Sequence, residues 1–152
     1  MYSNGADTKV LVFNTQGVYS LDTGTGSTAW FYPWNTKVAP PVADPLFFMQ
    51  KVFLSTSEKN PVGELIDISG PEPQKLWDSP DLATHISSSV YLGGYIYGIH
   101  GDYHSHIREC SLRCIDAESS ELMWESDPMI GGPIIGVDDK LIVLDAPGPF
   151  AS

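Results

Sequence analysis

Three tryptophans recur at equal distances along the chain. Trp30, Trp77 and Trp124 each lie 47 residues from the next. Each follows an aspartate that ends an apolar stretch, and these aspartates are Asp22, Asp67 and Asp116. A fixed period over most of a chain requires the same structural unit to be built several times, so this spacing constrains the fold more than any other feature.

Two further series of apolar segments share nearly the same period. "VLVF", "VFLS", "IYGI" and "LIVL" begin at Val10, Val52, Ile96 and Leu141, at steps of 42, 44 and 45 residues. "PLFF", "SVYL" and "PIIG" begin at positions 45, 89 and 133, at steps of 44 residues. The sequence therefore predicts a repeat protein with a unit of about 45 residues.

Each unit contains four short segments that are typical of β-strands. In the third unit they are "SSSVYL", "YIYGIHG", "LRCIDA" and "ELMWES", which are rich in β-branched and aromatic residues and are separated by turn residues. No segment keeps apolar residues at helical spacing over ten positions, which excludes solenoids of helix pairs. We predict an all-β fold, a β-propeller built of four-stranded antiparallel blades.

The strand pattern predicts one domain over residues 1–152, with blade units at 1–34 (partial), 35–80, 81–127 and 128–152 (partial). The first unit is expected to begin with its second strand, "VLVF", and the last to stop after "LIVL". That gives about 13 strands, or about three blades plus a partial one, whereas a closed ring needs about 4 to 8 blades. We therefore expect an incomplete ring. Two explanations stay open: a truncated propeller, or a chain that self-associates through its open sheet edges.

The Asp–Trp segments predict a turn followed by an outer strand. In the intact copy, D-x-x-T-G-x-x-x-W, the carboxylate of Asp22 is expected to cap the turn with Thr25, and Gly26 to take a positive φ. Trp30 is expected to fill the wedge between neighbouring blades. The later copies differ. Ser119-Ser120 replaces Thr-Gly in one, and the other has two extra residues between its Asp and its Trp.

This motif resembles the tryptophan-docking repeat of pyrroloquinoline-quinone (PQQ) type β-propellers. Together with "AWFYPW", "HISSSVYLGGYIYG" and "LRCIDAESSELMW", the resemblance covers nearly the whole chain. The family contains quinoprotein dehydrogenases, which hold PQQ and calcium on the propeller axis, and bacterial propellers that bind no quinone and act as scaffolds. The resemblance implies a periplasmic or secreted location, although the first residues show no signal peptide.

We expect a non-catalytic propeller that acts as a scaffold for protein interaction or ligand binding and holds no cofactor. The alternative is a fragment of a PQQ-dependent dehydrogenase, with calcium. The vicinal cysteine pair of many such dehydrogenases is absent from the sequence, and no nucleophile elbow or phosphate loop is visible. Asp44, Asp102 and Asp138 fall in or near turns, where capping is the simplest role.

Charge and hydropathy narrow the class of partner. The chain has 19 acidic and 8 basic side chains and a formal net charge of −11, which disfavours binding to nucleic acid and to anionic lipid. No apolar run reaches the roughly 18 to 20 residues that a membrane helix needs.

One loop holds residue types that could bind a metal. The segment "HGDYHSHIREC" contains His100, Asp102, His104, His106 and Cys110. Such side chains suit zinc or another divalent cation, but their spacing matches no closed zinc motif. Metal binding and a polar hairpin insertion both stay open.

Three other features have a structural and a functional interpretation. His85 precedes a first strand and could face the central channel, or could hold a loop. The aromatic run Trp30–Trp34 could form a binding patch, or could pack between blades. Cys110 and Cys114 would lie about 13 Å apart in a strand. Since a disulfide needs Cα atoms within about 7 Å, we expect two buried thiols.

Overall fold

Fourteen β-strands make up the regular structure of the residues that the computed structural model describes, namely 1–4, 7–34, 42–57, 61–101 and 110–145. The strands are β1 (Tyr2–Asn4), β2 (Asp7–Asn14), β3 (Gly17–Asp22), β4 (Thr28–Pro33), β5 (Leu46–Phe48), β6 (Lys51–Thr56), β7 (Val62–Asp67), β8 (Gln74–Ser79), β9 (Val90–Leu92), β10 (Tyr95–His100), β11 (Ser111–Asp116), β12 (Leu122–Glu125), β13 (Ile134–Val137) and β14 (Lys140–Val143). Over these ranges no helix is present that could cross a membrane.

The strands form three four-stranded sheets and one hairpin. Sheet 1 has the order β1-β2-β3-β4, sheet 2 the order β5-β6-β7-β8, sheet 3 the order β9-β10-β11-β12, and sheet 4 consists of β13 and β14. All neighbouring strands are antiparallel and adjacent in sequence. The predicted all-β fold of four-stranded antiparallel sheets is confirmed. Sheets 1 to 3 end at Pro33, Ser79 and Glu125.

The first sheet has one strand more than the sequence predicted. β1 pairs with β2 in the register Tyr2↔Lys9, so the first unit contains four strands and the described chain fourteen, where about 13 were expected. The prediction failed because three residues are too few to show an alternating pattern. Tertiary contacts hold this strand: the ring of Tyr2 stacks on Phe47 of sheet 2 at 4.5 Å, and its hydroxyl lies 2.8 Å from Ser20 Oγ.

Each sheet has two apolar faces with different neighbours. We call the face that carries the motif tryptophan the forward face, and the other the rear face; in sheet 4, which lacks this tryptophan, the forward face is the one directed away from sheet 3. Cross-strand pairs define them: Leu65↔Trp77 lies on the forward face of sheet 2, and Val52↔Ile66 on its rear face. Because both faces are apolar, a sheet of this kind can pack against a neighbour on each side.

Every joint in the described chain places a forward face on the rear face of the next sheet. Sheets 1 and 2 enclose the first cluster, which includes Tyr2, Val18, Val52, Leu54, Ile66 and Ile68. Sheets 2 and 3 enclose the second, which includes Phe48, Phe53, Leu65, Leu82, Ile96, Ile115 and Ala117. Ile99, Cys110 and Met129 form the third, against which Leu112 and Val143 pack at the joint of sheets 3 and 4.

The first strands of neighbouring sheets approach one another, and the outer strands spread apart. β5 contacts β9, and β9 contacts β13. Close approach is possible at Gly136, where an added Cβ would lie 2.9 Å from Val90 Cγ1. Sheets that converge at their first strands leave a wedge at the periphery, and large side chains on the outer strands fill it.

The three motif tryptophans lie on the outer strands, but their surroundings differ. The ring of Trp77 packs against Phe53, and its Nε1 donates to the carbonyl oxygen of Ala117 in sheet 3 at 3.1 Å. Trp30 packs on the first cluster and donates to Tyr2 Oη at 3.1 Å. Trp124 is 44% exposed, since the two described strands of sheet 4 leave the outer part of that forward face uncovered. Only two of the three indoles therefore fill a joint.

This difference predicts unequal effects of the same substitution. Trp77→Phe should lower the free energy of unfolding by about 2 kcal/mol, because it removes an inter-sheet hydrogen bond and leaves a space in the joint. Trp124→Phe is the matched control and should change it by less than about 0.5 kcal/mol. Urea denaturation followed by circular dichroism measures both. Equal losses would contradict the assignment of Trp77 to the joint.

Candidate functional site

The turn after β3 is built around the carboxylate of Asp22. Its Oδ1 accepts from the backbone N–H groups of Gly24 (3.1 Å) and Thr25 (2.9 Å) and from Thr25 Oγ1 (2.9 Å), while Lys9 Nζ donates to Oδ2 at 3.2 Å. The Thr25 hydroxyl, followed by the Thr25 N–H and Lys9, lowers the pKa of Asp22 to about 2. Gly26 completes the turn at φ +71°. The motif carboxylate is thus used as a turn cap.

The turn after β11 has the same geometry although its sequence differs. Asp116 Oδ1 accepts from the N–H groups of Glu118 (2.9 Å) and Ser119 (2.8 Å) and from Ser119 Oγ (3.1 Å). These bonds, led by the Ser119 N–H, lower the pKa of Asp116. Ser120 occupies the position of the motif glycine at φ +64°. Serine therefore replaces both threonine and glycine without changing the turn.

The turn after β7 keeps only part of this arrangement. Asp67 Oδ1 accepts from the hydroxyl of Ser69 at 2.6 Å and from its N–H at 2.7 Å, and the hydroxyl is the main reason that the pKa of Asp67 is lowered. The two extra residues of this copy extend the turn into the segment Pro71–Pro73. That segment reaches the outer strand of sheet 1.

A groove lies between this extended turn and β4. Its volume is about 470 Å³, and it is lined by Ala29, Trp30, Phe31, Tyr32, Pro33, Pro71, Glu72 and Pro73. The aromatic run that the sequence singled out therefore divides between two roles. Trp30 and Tyr32 pack on the first cluster, whereas Phe31 is exposed on the other face of β4.

Sequence reasoning missed a polar contact between sheets 1 and 2. Tyr32 Oη donates to Glu64 Oε1 at 2.7 Å, and burial together with this carboxylate raises the pKa of Tyr32. Glu64 is buried, and Lys75 Nζ lies 3.8 Å from its Oε2. No local pattern could reveal this contact, because its partners lie 32 residues apart in the sequence.

A second cleft lies beside the first strands of sheets 3 and 4. It has a volume of about 420 Å³ and is lined by Ile86, Ser87, Ser88, Gly132, Pro133 and Ile134. Ser87 Oγ donates to the carbonyl oxygen of Gly132 at 2.5 Å, and Ser88 Oγ accepts from the N–H of Asp44 at 3.1 Å. These serines tie together the segments that lead into three neighbouring sheets. His85, which is half-buried, comes directly before them.

The candidate metal loop is only partly described. Asp102, His104 and His106 lie outside the described residues, so the zinc hypothesis stays a prediction. His100 Nδ1 accepts from the N–H of Ala83 at 3.1 Å, which fixes its ring against the segment before sheet 3. Burial is the main reason that the pKa of His100 is lowered, and Arg113 adds to the effect. Within the described ranges no three His, Cys, Asp or Glu side chains form a metal-binding group.

The remaining candidates occupy structural positions. Cys110 and Cys114 are buried thiols, and burial raises the pKa of Cys114. Asp138 adopts φ +55° in the two-residue turn between β13 and β14. The backbone N–H of Asp44 takes part in the serine contact described above.

Comparison with known proteins gives a structural likeness. No protein-family profile and no curated protein sequence matches the chain. Among solved structures, the chain is similar to a europium-containing methanol dehydrogenase, with a TM-score of 0.61 and 12% sequence identity. The match covers 81% of this chain and 23% of that protein, so the chain spans about a quarter of the enzyme's length. At this identity the likeness concerns the fold, which is that of a partial PQQ-like β-propeller.

The two equivalent turns predict opposite effects of exchanging glycine. Ser120→Gly should raise the free energy of unfolding by about 0.5–1 kcal/mol, because a left-handed backbone costs an L-residue about 1–2 kcal/mol and the more flexible unfolded glycine offsets part of that gain. Gly26→Ala should lower it by about 1 kcal/mol. Since an added Cβ at Gly26 meets no atom within 4 Å, its cost is purely conformational. Thermal unfolding measures both, and a destabilised Ser120→Gly variant would show that Ser120 is held by contacts.

His100 predicts a loss of stability in mild acid. Its pKa is lowered in the folded protein from an ordinary value of 6.5, so protonation favours the unfolded chain. The stabilisation of the folded protein by neutral His100 is therefore complete above a pH of about 6.5. It is lost as the pH falls through the lower pKa that His100 has in the folded protein. Urea titrations between pH 5 and 8 should show this slope, and His100→Asn, which retains an acceptor but cannot titrate, should reduce it. An unchanged slope in the variant would contradict the prediction.

Proposed function

We propose that this chain is a non-catalytic PQQ-like propeller module that acts as a scaffold for protein or ligand binding. The observation that carries the proposal is the use of the motif side chains: Asp22, Asp67 and Asp116 accept hydrogen bonds within their own turns, and Trp30 and Trp77 pack in joints. A carboxylate that already accepts two or three short hydrogen bonds is a poor general base at neutral pH, because these bonds stabilise its ionised form.

Two clefts support the binding role. The outer groove has an aromatic and prolyl lining, while the cleft beside the first strands combines isoleucine side chains with backbone groups and serine hydroxyls. Binding sites of proteins commonly join apolar walls to a few fixed polar groups in this way. We place the module in the periplasm or outside the cell on the family resemblance alone.

The alternative, a fragment of a PQQ-dependent dehydrogenase, is favoured only by the likeness to a methanol dehydrogenase, of which the chain spans about a quarter. A quinone site on a propeller axis would draw on several blades. The described sheets supply the first strands of four blades. The two functions predict different behaviour toward PQQ itself.

Incubation with PQQ and calcium, followed by desalting, tests the proposal. We expect no retained quinone absorbance and no reduction of an artificial dye with methanol, other alcohols or sugars. An intact quinoprotein dehydrogenase carried through the same steps is the positive control. Stoichiometric quinone in the desalted protein, together with dye reduction, would overturn the scaffold function in favour of the dehydrogenase fragment.

A further inference from the structure

We propose that the groove between β4 and the turn Pro71–Pro73 binds an extended, basic segment of another protein, which adds to sheet 1 as a fifth strand. The proposal rests on the scaffold function, for which it names the class of partner. It is carried by three observations: the unpaired edge of β4, the position of the turn beside it, and the charge around the groove.

The first observation is that the outer edge of β4 offers backbone groups for pairing. No strand of the described chain pairs with this edge. The N–H of Trp34 donates to the carbonyl oxygen of Gln16, and in an antiparallel pair bonded and unbonded positions alternate along the strand. The N–H and C=O of Phe31 and the C=O of Pro33 therefore point away from β3. A partner strand can form hydrogen bonds with these groups.

A further blade would not cover this edge. Sheet 2 has a neighbour on each of its faces, yet the outer edge of its last strand, β8, is paired with no strand of the described chain. Blades of this kind pack through their faces, so the outer edges lie at the periphery of the ring whatever the number of blades. The edge of β4 is therefore available to a strand from outside the repeat.

The second observation is that the turn after β7 leaves room beside β4. In the joint of sheets 2 and 3 the shorter turn after β11 lies against β8, because Trp77 Nε1 donates to the carbonyl oxygen of Ala117. In the joint of sheets 1 and 2 the indole of Trp30 instead donates to Tyr2 Oη of its own sheet. The turn after β7 has two extra residues, and a groove of about 470 Å³ separates it from β4. This insertion distinguishes the edge of β4 from that of β8.

The groove has the form that an extended segment needs. It follows five consecutive residues of β4, from Ala29 to Pro33, and Pro71–Pro73 form its far wall. Its volume lies within the range of about 300 to 1,000 Å³ that is usual for ligand sites. Because side chains alternate along a strand, every second side chain of a bound segment would point to this wall, where the two prolines offer apolar contact.

The third observation is the excess of negative charge around the groove. Glu72 lines it and is exposed, and Tyr32, which also lines it, donates to Glu64. Lys75 pairs with Glu64 and with Asp78. Three carboxylates thus face one ammonium group, on a chain whose formal net charge is −11. This charge favours a partner with lysine or arginine side chains and opposes an acidic one, a second copy of this chain included.

Amide NMR of the full chain, titrated with the peptide acetyl-Val-Lys-Val-Lys-Val-amide, tests the site. We expect saturable shifts at the amide of Phe31 and none at Asp78 and Glu125, which hold the equivalent positions in β8 and β12. No saturable shift at millimolar peptide would overturn the proposal. Shifts of equal size at all three amides would also overturn it, since the groove would then have no part in binding.

Two altered peptides separate the backbone contribution from the charge. A peptide with glutamate in place of lysine should not bind, because its charge is reversed. The lysine peptide methylated on every backbone nitrogen should not bind either, because it keeps the charge but has no N–H donors for β4. If the methylated peptide bound as tightly as its parent, the pairing with β4 would be wrong.

Single substitutions test the role of Glu72. Glu72→Gln should weaken binding of the lysine peptide about threefold and Glu72→Lys about tenfold, as expected for an exposed charge pair and for its reversal. Glu118→Gln, which removes an exposed carboxylate from the shorter turn after β11, is the matched control and should leave the affinity unchanged. Circular dichroism verifies that each variant is folded. Unchanged affinity in both Glu72 variants would overturn the choice of a basic partner.

A second copy on the edge of β4 gives a different result. Two paired edges would make the chain a dimer in sedimentation velocity, which the lysine peptide would dissociate, and this outcome would overturn the choice of partner. Because quinone retention and peptide binding are separate measurements, a chain that shows neither would overturn the groove and leave the scaffold function standing. A chain that binds the peptide at β4 and retains quinone would do the reverse.

Discussion

The joint between a forward face and a rear face is the interaction on which this structure depends. Each sheet is a short antiparallel meander with apolar side chains on both faces, and such a sheet cannot be stable alone in water. Burial between neighbours supplies the free energy, and the convergence of the first strands sets the geometry. The hydrogen bond from Trp77 to Ala117 and the contact of Tyr32 with Glu64 then fix the register of one sheet against the next.

The last joint of the described chain is less complete than the first two. Tyr2, Val18 and Trp30 contribute to a first cluster that draws on sheets 1 and 2, and the second cluster is equally extensive. The third holds three buried residues, because the hairpin of sheet 4 offers half the surface of a full sheet. A two-stranded hairpin is marginal in isolation, so sheet 4 depends on sheet 3 for its position. The exposure of Trp124 has the same origin.

Periodicity was sufficient to predict the fold, but it could not predict every element. The spacing of Trp30, Trp77 and Trp124 predicted the repeating sheets because each occupies an equivalent outer strand. The strand at Tyr2–Asn4 was missed, since its stability comes from a stacking contact with Phe47 that is 45 residues away. The cleft-lining serines and the Tyr32–Glu64 pair were missed for the same reason. Contacts between sheets leave no signal in a local pattern of residues.

The turn at Asp116 also shows how few particular residues its geometry requires. Its geometry needs one carboxylate oxygen, one hydroxyl and one residue that tolerates a left-handed backbone, and two serines meet the last two requirements. A turn that requires so few specific groups can keep its backbone conformation when its sequence no longer matches the motif. The chain accordingly superposes on a methanol dehydrogenase at 12% identity, while no family profile matches it. The turn is retained in both copies because its geometry depends on a few hydrogen-bonding groups, which more than one type of amino acid can supply.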